Sequence, residues 1–216
     1  MMQLFIDMLF CVFYIFCIKG NEAIKVKCQL KDITQINAGY PFRGKIPEVS
    51  HSSIVAVQMK DASVRDGIQW HKCLRTELLG KKQPEWLEAK DILVAARGNH
   101  YYAVQVGEVM AGIQAVAAPH FFVVRITRPD VLPEYLTWLL NQSPCQKYLE
   151  QNAEGSMSKS IRRSVLEETP IAVPSITKQK VIIEMVHALQ HEQKIIEQLL
   201  LNGEQMMTAI ATDLLN

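Results

Sequence analysis

The sequence predicts an α/β (α+β) protein, in which a mixed-strand domain is followed by a long C-terminal helix with a coiled-coil-like apolar stripe. Short β-branched and aromatic runs, separated by Gly, Pro and polar clusters, fill the middle of the chain. Apolar residues near the C-terminus recur at helical spacing. The 216 residues suffice for one large domain and a helical appendage. We divide the chain into an apolar extension (1–25), a strand-rich domain (26–174) and a helical region (175–216).

Four runs have the composition and length of strands. They are "SIVAVQMKD" (53–61), "DILVAARG" (91–98), "YYAVQV" (101–106) and "HFFVVRIT" (120–127). The "GNH" between the second and third runs is typical of a hairpin turn, because Gly adopts the backbone angles that tight turns need. The sequence therefore predicts at least four strands, two of them joined by a short turn.

Two short helices are predicted next. In "LPEYLTWLLNQ", Pro133 suits the first helical position. The expected apolar face of this helix consists of Leu136, Leu139 and Leu140. In "SPCQKYLEQNAEG", Ser143 is the expected N-cap and Gly155 the expected terminator. The two helices should lead into the basic, serine-rich stretch "SMSKSIRRSVL".

The last part of the chain begins with "TPIAVPS", whose prolines exclude a helix interior and favour an edge strand. A helix of about 25 residues should follow, with Asn202 and Gly203 stopping or kinking it. Its a/d-like apolar positions are expected to form a helix interface, and they are Ile182, Met185, Leu189, Ile196 and Leu199.

The overall charge of +1 identifies no partner, but the charges are unevenly distributed. Residues 41–82 contain eight Lys or Arg against four acids, whereas residues 181–216 contain one Lys against five acids. The two regions should therefore face different partners. Five scattered cysteines without a CxxC pair favour a reduced, cytoplasmic protein.

The N-terminal run "LFIDMLFCVFYIFCI" has three interpretations. It is short for a membrane-spanning helix and contains Asp7. A membrane anchor or signal, a buried helix, and translated sequence upstream of the true start all remain open, and we favour the last. A membrane-tethered helical interaction protein is the alternative that would make this run functional, whereas no membrane is expected if the extension is not translated.

Catalytic patterns are weak. Glu88 and Lys90 have the E-x-K spacing of metal-dependent nucleases, but Glu85 lies too close in sequence to supply a second carboxylate from another strand. His187 and His191 lie four residues apart on the predicted helix without a third ligand. We predict no catalytic residue, metal site or cofactor, and keep a metal-dependent nuclease as a lesser alternative.

Several stretches together resemble a known family. They are "LKDITQINAGYPFRG", "EWLEAKDILVAARGNHYYAV", "LPEYLTWLLNQ" and "NAEGSMSKSIRRSVLEETPIAVPSITKQ", the last leading into the long helix. Their order resembles a target-recognition domain and conserved helix of the DNA specificity (S) subunits of type I restriction-modification systems. The resemblance covers residues 26–215 and identifies 26–174 as the recognition domain and 175–216 as a dimerisation and spacer helix.

The resemblance implies a non-catalytic subunit that selects a bipartite double-stranded DNA target for a methyltransferase (M) subunit and, where present, a restriction (R) subunit. S subunits of this family carry two recognition domains and two helices, whereas this sequence has one of each. It is therefore expected to be a half-subunit that pairs with itself through the helix, or the remnant of a longer gene. A homodimer would read two inverted half-sites.

Candidate DNA contacts are cations, amides and hydroxyls on turns and loops, because DNA binding needs groups that grip phosphates and reach base edges. The basic segment supplies Arg43, Lys45, Lys60, Arg65 and Lys72. The predicted turn supplies Arg97, Asn99, His100 and Tyr101. The serine-rich stretch supplies Ser156, Ser158, Lys159, Arg162 and Arg163, which we expect to clamp phosphates and not to read bases.

Overall fold

A computed structural model of the chain describes residues 26–80, 83–98, 100–107, 113–155 and 159–215. The predictions for the extension 1–25 and for Asn99, Ser156 and Ser158 lie outside these residues. Two compact units are present, Met1–Ile176 and Thr177–Asn216. We describe each unit by itself.

Within the described part of the first unit, eleven strands form. They are β1 (Val26–Gln29), β2 (Thr34–Ala38), β3 (Ile54–Val57), β4 (Ala62–Ser63), β5 (Gly67–Ile68), β6 (Leu74–Thr76), β7 (Ile92–Ala95), β8 (Ala103–Gln105), β9 (Gln114–Ala117), β10 (Phe121–Ile126) and β11 (Pro170–Val173). All four strand-like runs predicted from the sequence contain a strand, and "PIAV" forms the predicted edge strand by pairing with β1.

The central sheet has the strand order β2-β10-β7-β8, and all of its neighbours are antiparallel. A second sheet, β6-β3-β9, pairs β3 antiparallel with β6 and parallel with β9. Two further pairs, β1 with β11 and β4 with β5, are antiparallel. Mixed strand directions and separate helices confirm the predicted α+β class.

The middle of the central sheet is covered on both faces. Alternate residues of β7 enter different apolar clusters, with Ile92 and Val94 in one and Leu93 and Ala95 in the other, and all four are fully buried. The first cluster contains the helices that follow β10, and the second contains β3 and β9. A strand buried on both faces reads as a continuous apolar run, as "ILVA" does.

Among the described residues of the first unit, three short α-helices form, namely α1 (Pro133–Leu140), α2 (Ser143–Gln151) and α3 (Arg163–Glu167). Pro133 starts α1 as predicted. The predicted cap of α2 is wrong by one residue, since Gln142 has the extended backbone of the N-cap and Ser143 is already helical. Gly155 does not terminate α2, which ends at Gln151. Gly155 adopts a φ of 114° in the loop beyond, a conformation that suits Gly because it lacks a Cβ.

The second unit lies in α4 (Ile176–Leu215), a helix of 40 residues. The predicted length of about 25 residues and the predicted stop at Asn202 and Gly203 are therefore wrong. A single Gly costs a helix interior about 1 kcal/mol relative to Ala, which the good helix formers on both sides outweigh. Among the described residues, no helix is both long enough and apolar enough to cross a membrane.

Gly39 is fixed by a close approach between β2 and the segment after β9. Its amide donates to the Phe121 carbonyl (2.9 Å), and the next amide, that of Tyr40, donates to the Ala117 carbonyl (2.8 Å). A Cβ on Gly39 would lie 2.1 Å from the Ala118 carbonyl oxygen. Only Gly therefore allows the chain to leave the central sheet beside the second sheet.

We expect Gly39→Ala to lower the free energy of unfolding by about 1–3 kcal/mol, because the added methyl group forces backbone atoms apart. Chemical denaturation measures the loss. Gly107→Ala is the matched control, since a Cβ there meets nothing within 4 Å. Equal stability of the two variants would show that the contact at Gly39 relaxes without cost.

Candidate nucleic-acid interface

The turn between β7 and β8 is bonded to the serine-rich stretch. The Ile161 amide donates to the Ala96 carbonyl (3.0 Å), and the Gly98 amide donates to the Lys159 carbonyl (3.3 Å). These bonds bring the backbones at Arg97 and Lys159 together, and both side chains are exposed. Two segments that are 62 residues apart in sequence, counted from Arg97 to Lys159, therefore lie side by side, and each carries an exposed cation.

The serine-rich stretch is closed at its base. Glu154 and Ser160 exchange two backbone hydrogen bonds of 2.9 and 2.8 Å, and Ile161 anchors the base in the apolar core. Arg162 forms an ion pair with Glu154, in which the two side chains are 71% and 56% exposed. Exposed pairs of this kind contribute little stability, so Arg162 can exchange its partner for a phosphate at small cost. Arg163 pairs with Glu167 along α3.

Met59, near the start of the segment 58–73, approaches the same turn. The Tyr102 hydroxyl donates to the Met59 carbonyl (2.9 Å), and a Cβ on Gly98 would lie 3.7 Å from the Met59 Cε atom. Lys60 follows Met59 and is exposed. We call residues 58–73, 96–100 and 159–163 the three-loop surface.

Asp61 is a buried carboxylate in residues 58–73, which we call the third loop of this surface. It is 1% exposed, and its Oδ2 atom accepts the Gln58 amide (3.0 Å). Burial raises the pKa of Asp61, while the Gln58 bond and the charges of Lys60 and Lys72 act in the opposite direction. Lys60 and Lys72 are both exposed, and their positive charges favour the ionised form of this buried acid.

Of the remaining basic candidates, Arg65 lies within the three-loop surface, whereas Arg43 and Lys45 lie outside it. Arg65 is exposed in the β4–β5 hairpin, where its Nε atom lies 3.9 Å from Asp66 Oδ1. Arg43 and Lys45 are exposed in the segment after Gly39, and Arg43 lines a surface pocket of about 650 Å³. Among the described residues, the bonds that join the three loops involve neither Arg43 nor Lys45.

The prediction that Tyr101 contacts DNA is wrong. Its side chain is 1% exposed and lies in the core cluster that contains the helices. Burial raises the pKa of its hydroxyl, which has no hydrogen-bond partner in the part of the chain that the structure describes. Tyr101 and Ala103 point into one cluster, whereas Tyr102 and Val104 belong to the other. Successive side chains of an extended segment point to opposite faces. Because both faces are covered here, the apolar and aromatic run "YYAV" could have predicted that Tyr101 is buried.

Comparison with known proteins identifies the family. A model described as type I restriction modification DNA specificity domain matches residues 25–201. The chain belongs to this family of type I specificity domains. The match confirms the resemblance seen in the sequence. No curated protein matches the chain.

Solved structures share the fold of this specificity domain. The S subunit of the type I restriction-modification system from M. genitalium has a TM-score of 0.53 and 13% identity, over 82% of this chain and 42% of that chain. The HsdS subunit from Thermoanaerobacter tengcongensis has a TM-score of 0.57 and 18% identity, over 81% and 44%. A structure reported for the complex assembly and conformational transition of the type I R-M system has a TM-score of 0.62 and 12% identity, over 82% and 41%. The specificity domain spans less than half the length of these chains.

The acids of the nuclease-like pattern surround one arginine of the specificity domain. Arg125, on β10, donates through Nε and Nη2 to the two oxygens of Asp91 (2.8 Å each). Its Nη1 atom lies 3.0 Å from Glu88 Oε1 and 3.4 Å from Glu85 Oε1. These carboxylates therefore hold a guanidinium. Among the described residues, no group of three or more His, Cys, Asp or Glu side chains is arranged to bind a metal ion.

Sequence reasoning missed Arg125. The available signal was a single Arg inside the apolar strand "FFVVRI", because a cation in such a strand needs a carboxylate partner. That partner, Asp91, is 34 residues away and comes directly before β7. The pair therefore links the starting end of β7 to β10.

Arg125→Met should lower the free energy of unfolding by about 3–5 kcal/mol, because it leaves the carboxylate of Asp91 buried without its cation. The side chain of Asp91 is only 2% exposed. Arg128→Met is the matched control, since Arg128 also bonds one Asp through a guanidinium, but in an exposed pair with Asp130. Thermal unfolding should show a far smaller loss for the control, and similar losses would contradict a structural role of the Arg125 pair.

Proposed function

We propose that this chain is a DNA specificity subunit, which binds a double-stranded target and directs a methyltransferase subunit, and where present a restriction subunit, to it. The observation that supports the proposal most is the meeting of three basic loops on a domain of this family. The chain itself carries out no chemistry in this proposal.

The three-loop surface contains side chains for two kinds of DNA contact, to base edges and to phosphates. Arg97 and His100 are exposed on the short turn after β7, where a side chain can reach base edges, and Arg can bond a guanine through two atoms. Lys159 and Arg162 lie beside that turn on a separate loop and supply phosphate contacts that set register. Lys60 and Lys72 extend the positive surface along the third loop.

The helix α4 serves protein contacts in this proposal. Of the predicted interface residues, Leu189, Ile196 and Leu199 are 45%, 49% and 64% exposed, and Ile182 and Met185 are half-buried. The five acids between 181 and 216 disfavour a DNA contact, because phosphate repels them. Two copies of the chain would pair through this apolar stripe, and a methyltransferase subunit would bind the same region.

Replacing Lys159 and Arg162 together tests whether these residues contact phosphates and do not read bases. Lys159→Ala/Arg162→Ala should weaken the binding of all DNA sequences alike and reduce the slope of log affinity against log salt by about 1.8, since each lost phosphate contact removes about 0.9. The full chain, in complex with its methyltransferase subunit, is titrated with DNA at several salt concentrations.

Lys27→Ala/Lys31→Ala is the matched control, because it also removes two exposed cations, from β1 and the turn that follows. The control should keep the original slope. An unchanged slope with an altered target sequence in the clamp variant would assign base reading to Lys159 and Arg162.

Methylation mapping tests the proposed function itself. The chain is co-expressed with a methyltransferase subunit, and methylated adenines are mapped across the host genome. We expect one motif made of two inverted half-sites with a fixed spacer, because two copies related by a two-fold axis read the same half-site in opposite directions. An asymmetric motif would exclude the homodimer, and the absence of any motif would exclude the specificity function.

A further inference from the structure

The strand β8 lies at the edge of the central sheet, beside the turn that carries Arg97 and His100. One side of β8 pairs with β7, and among the described residues the other side faces no strand of that sheet. Backbone groups along such an edge need other partners, because buried N–H and C=O groups without hydrogen bonds are costly.

Two side-chain amides occupy this edge in place of a strand. Asn141 accepts the Ala103 amide through Oδ1 (2.9 Å) and donates through Nδ2 to the Ala103 carbonyl (2.8 Å). Gln146 accepts the Tyr101 amide through Oε1 (3.2 Å) and donates through Nε2 to the Tyr101 carbonyl (3.0 Å). Each amide thus makes the pair of bonds that a residue of a neighbouring strand would make.

Both amides are also fixed to the helices that carry them. Asn141 follows the last residue of α1 and donates its second N–H to the Thr137 carbonyl (2.9 Å). Gln146 lies in α2 and donates its second N–H to the Leu140 carbonyl (2.8 Å). Every N–H of the two amide groups is therefore used, and the orientation of each amide plane is set by the helices.

The bond to Tyr101 fixes one end of the turn. The other end is fixed at Ala96, whose amide donates to the His120 carbonyl (2.7 Å) and whose carbonyl accepts the Ile161 amide. Four residues, 97–100, lie between these two points. His100 precedes Tyr101 directly, so a rotation of the Tyr101 peptide plane displaces it first.

We propose that Asn141 and Gln146 are positioning residues for DNA recognition, which hold the backbone of Tyr101 and Ala103 so that the 97–100 turn presents Arg97 and His100 to DNA. This inference rests on the proposed function. The buried ring of Tyr101 fixes where the chain passes, and the two amides fix how its peptide groups are oriented.

Amide hydrogen exchange of the full chain tests the contact without DNA. Gln146→Ala should speed exchange at the Tyr101 amide at least about fivefold, because that amide loses its acceptor. Asn141→Ala should do the same at Ala103. Unchanged exchange in both variants would overturn the inference.

Two matched controls remove side-chain amides that, among the described residues, bond only the carbonyl four positions earlier in the chain. Gln142 donates to the Trp138 carbonyl (2.9 Å), and Asn152 donates to the Tyr148 carbonyl (2.8 Å). Alanine at either position should leave exchange at residues 101 and 103 unchanged. If Gln146→Ala fails to fold, Gln146→Leu replaces it, since Leu fills more of the same space and has no oxygen to accept the Tyr101 amide.

A double-mutant cycle then tests whether Gln146 acts through the turn. Gln146→Ala should weaken DNA binding by the chain and its methyltransferase subunit about fivefold to tenfold, and should have no effect when Arg97→Ala/His100→Ala is already present. Equal losses in both backgrounds would mean that Gln146 only supports the fold, which overturns the inference. If the original complex bound no DNA, the proposed function would fail as well, while the exchange data would still report on the backbone contact.

Discussion

The burial of β7 on both faces is the constraint on which the rest of the first unit depends. Four successive residues, Ile92 to Ala95, are fully buried and enter two separate apolar clusters. A strand in that position needs a layer on each side, which the second sheet and the helices α1–α3 supply. The position at which the turn after β7 leaves the core is therefore fixed, because the second sheet packs on one side of β7 and the helices pack on the other.

Backbone hydrogen bonds then assemble the three-loop surface at this exit. The bonds from Ile161 to Ala96 and from Gly98 to Lys159 join the serine-rich stretch to the turn, and Met59 joins the third loop through the Tyr102 hydroxyl. Long cationic side chains are mobile, so their value for DNA binding depends on where the backbone holds them. A surface made of loops on a rigid scaffold is typical of binding sites.

The sequence predicted the features that depend on local pattern. β-branched runs gave the strands, Pro133 gave the start of α1, and the order of motifs gave the family. Local pattern failed where one effect outweighed another, as in α4, where the surrounding helix formers override Gly203. Local pattern also failed for Tyr101. This residue follows the exposed turn directly, and the sequence does not show where the turn ends and the buried segment begins.

The sequence alone could not predict contacts between residues that are far apart in the chain. Asn141 and Gln146 lie 38 and 45 residues from the backbone groups that they hold. Nothing in "LLNQSPCQ" distinguishes them from Gln142, which bonds the carbonyl four residues earlier. The same holds for Arg125 and Asp91. Such pairs become visible only when the sheet order is known, since β8 must be an edge strand before its edge can need partners.

In the proposed function, the three loops act as one DNA-binding surface. Hydroxyl-radical footprinting of the protein, with and without its target DNA, tests this most directly, because it reports side-chain accessibility along the whole chain at once. We expect DNA to protect residues 58–73, 96–100 and 159–163 together and to leave residues 187–215 of the helix unchanged. Protection confined to one loop, or found on the helix, would contradict the account.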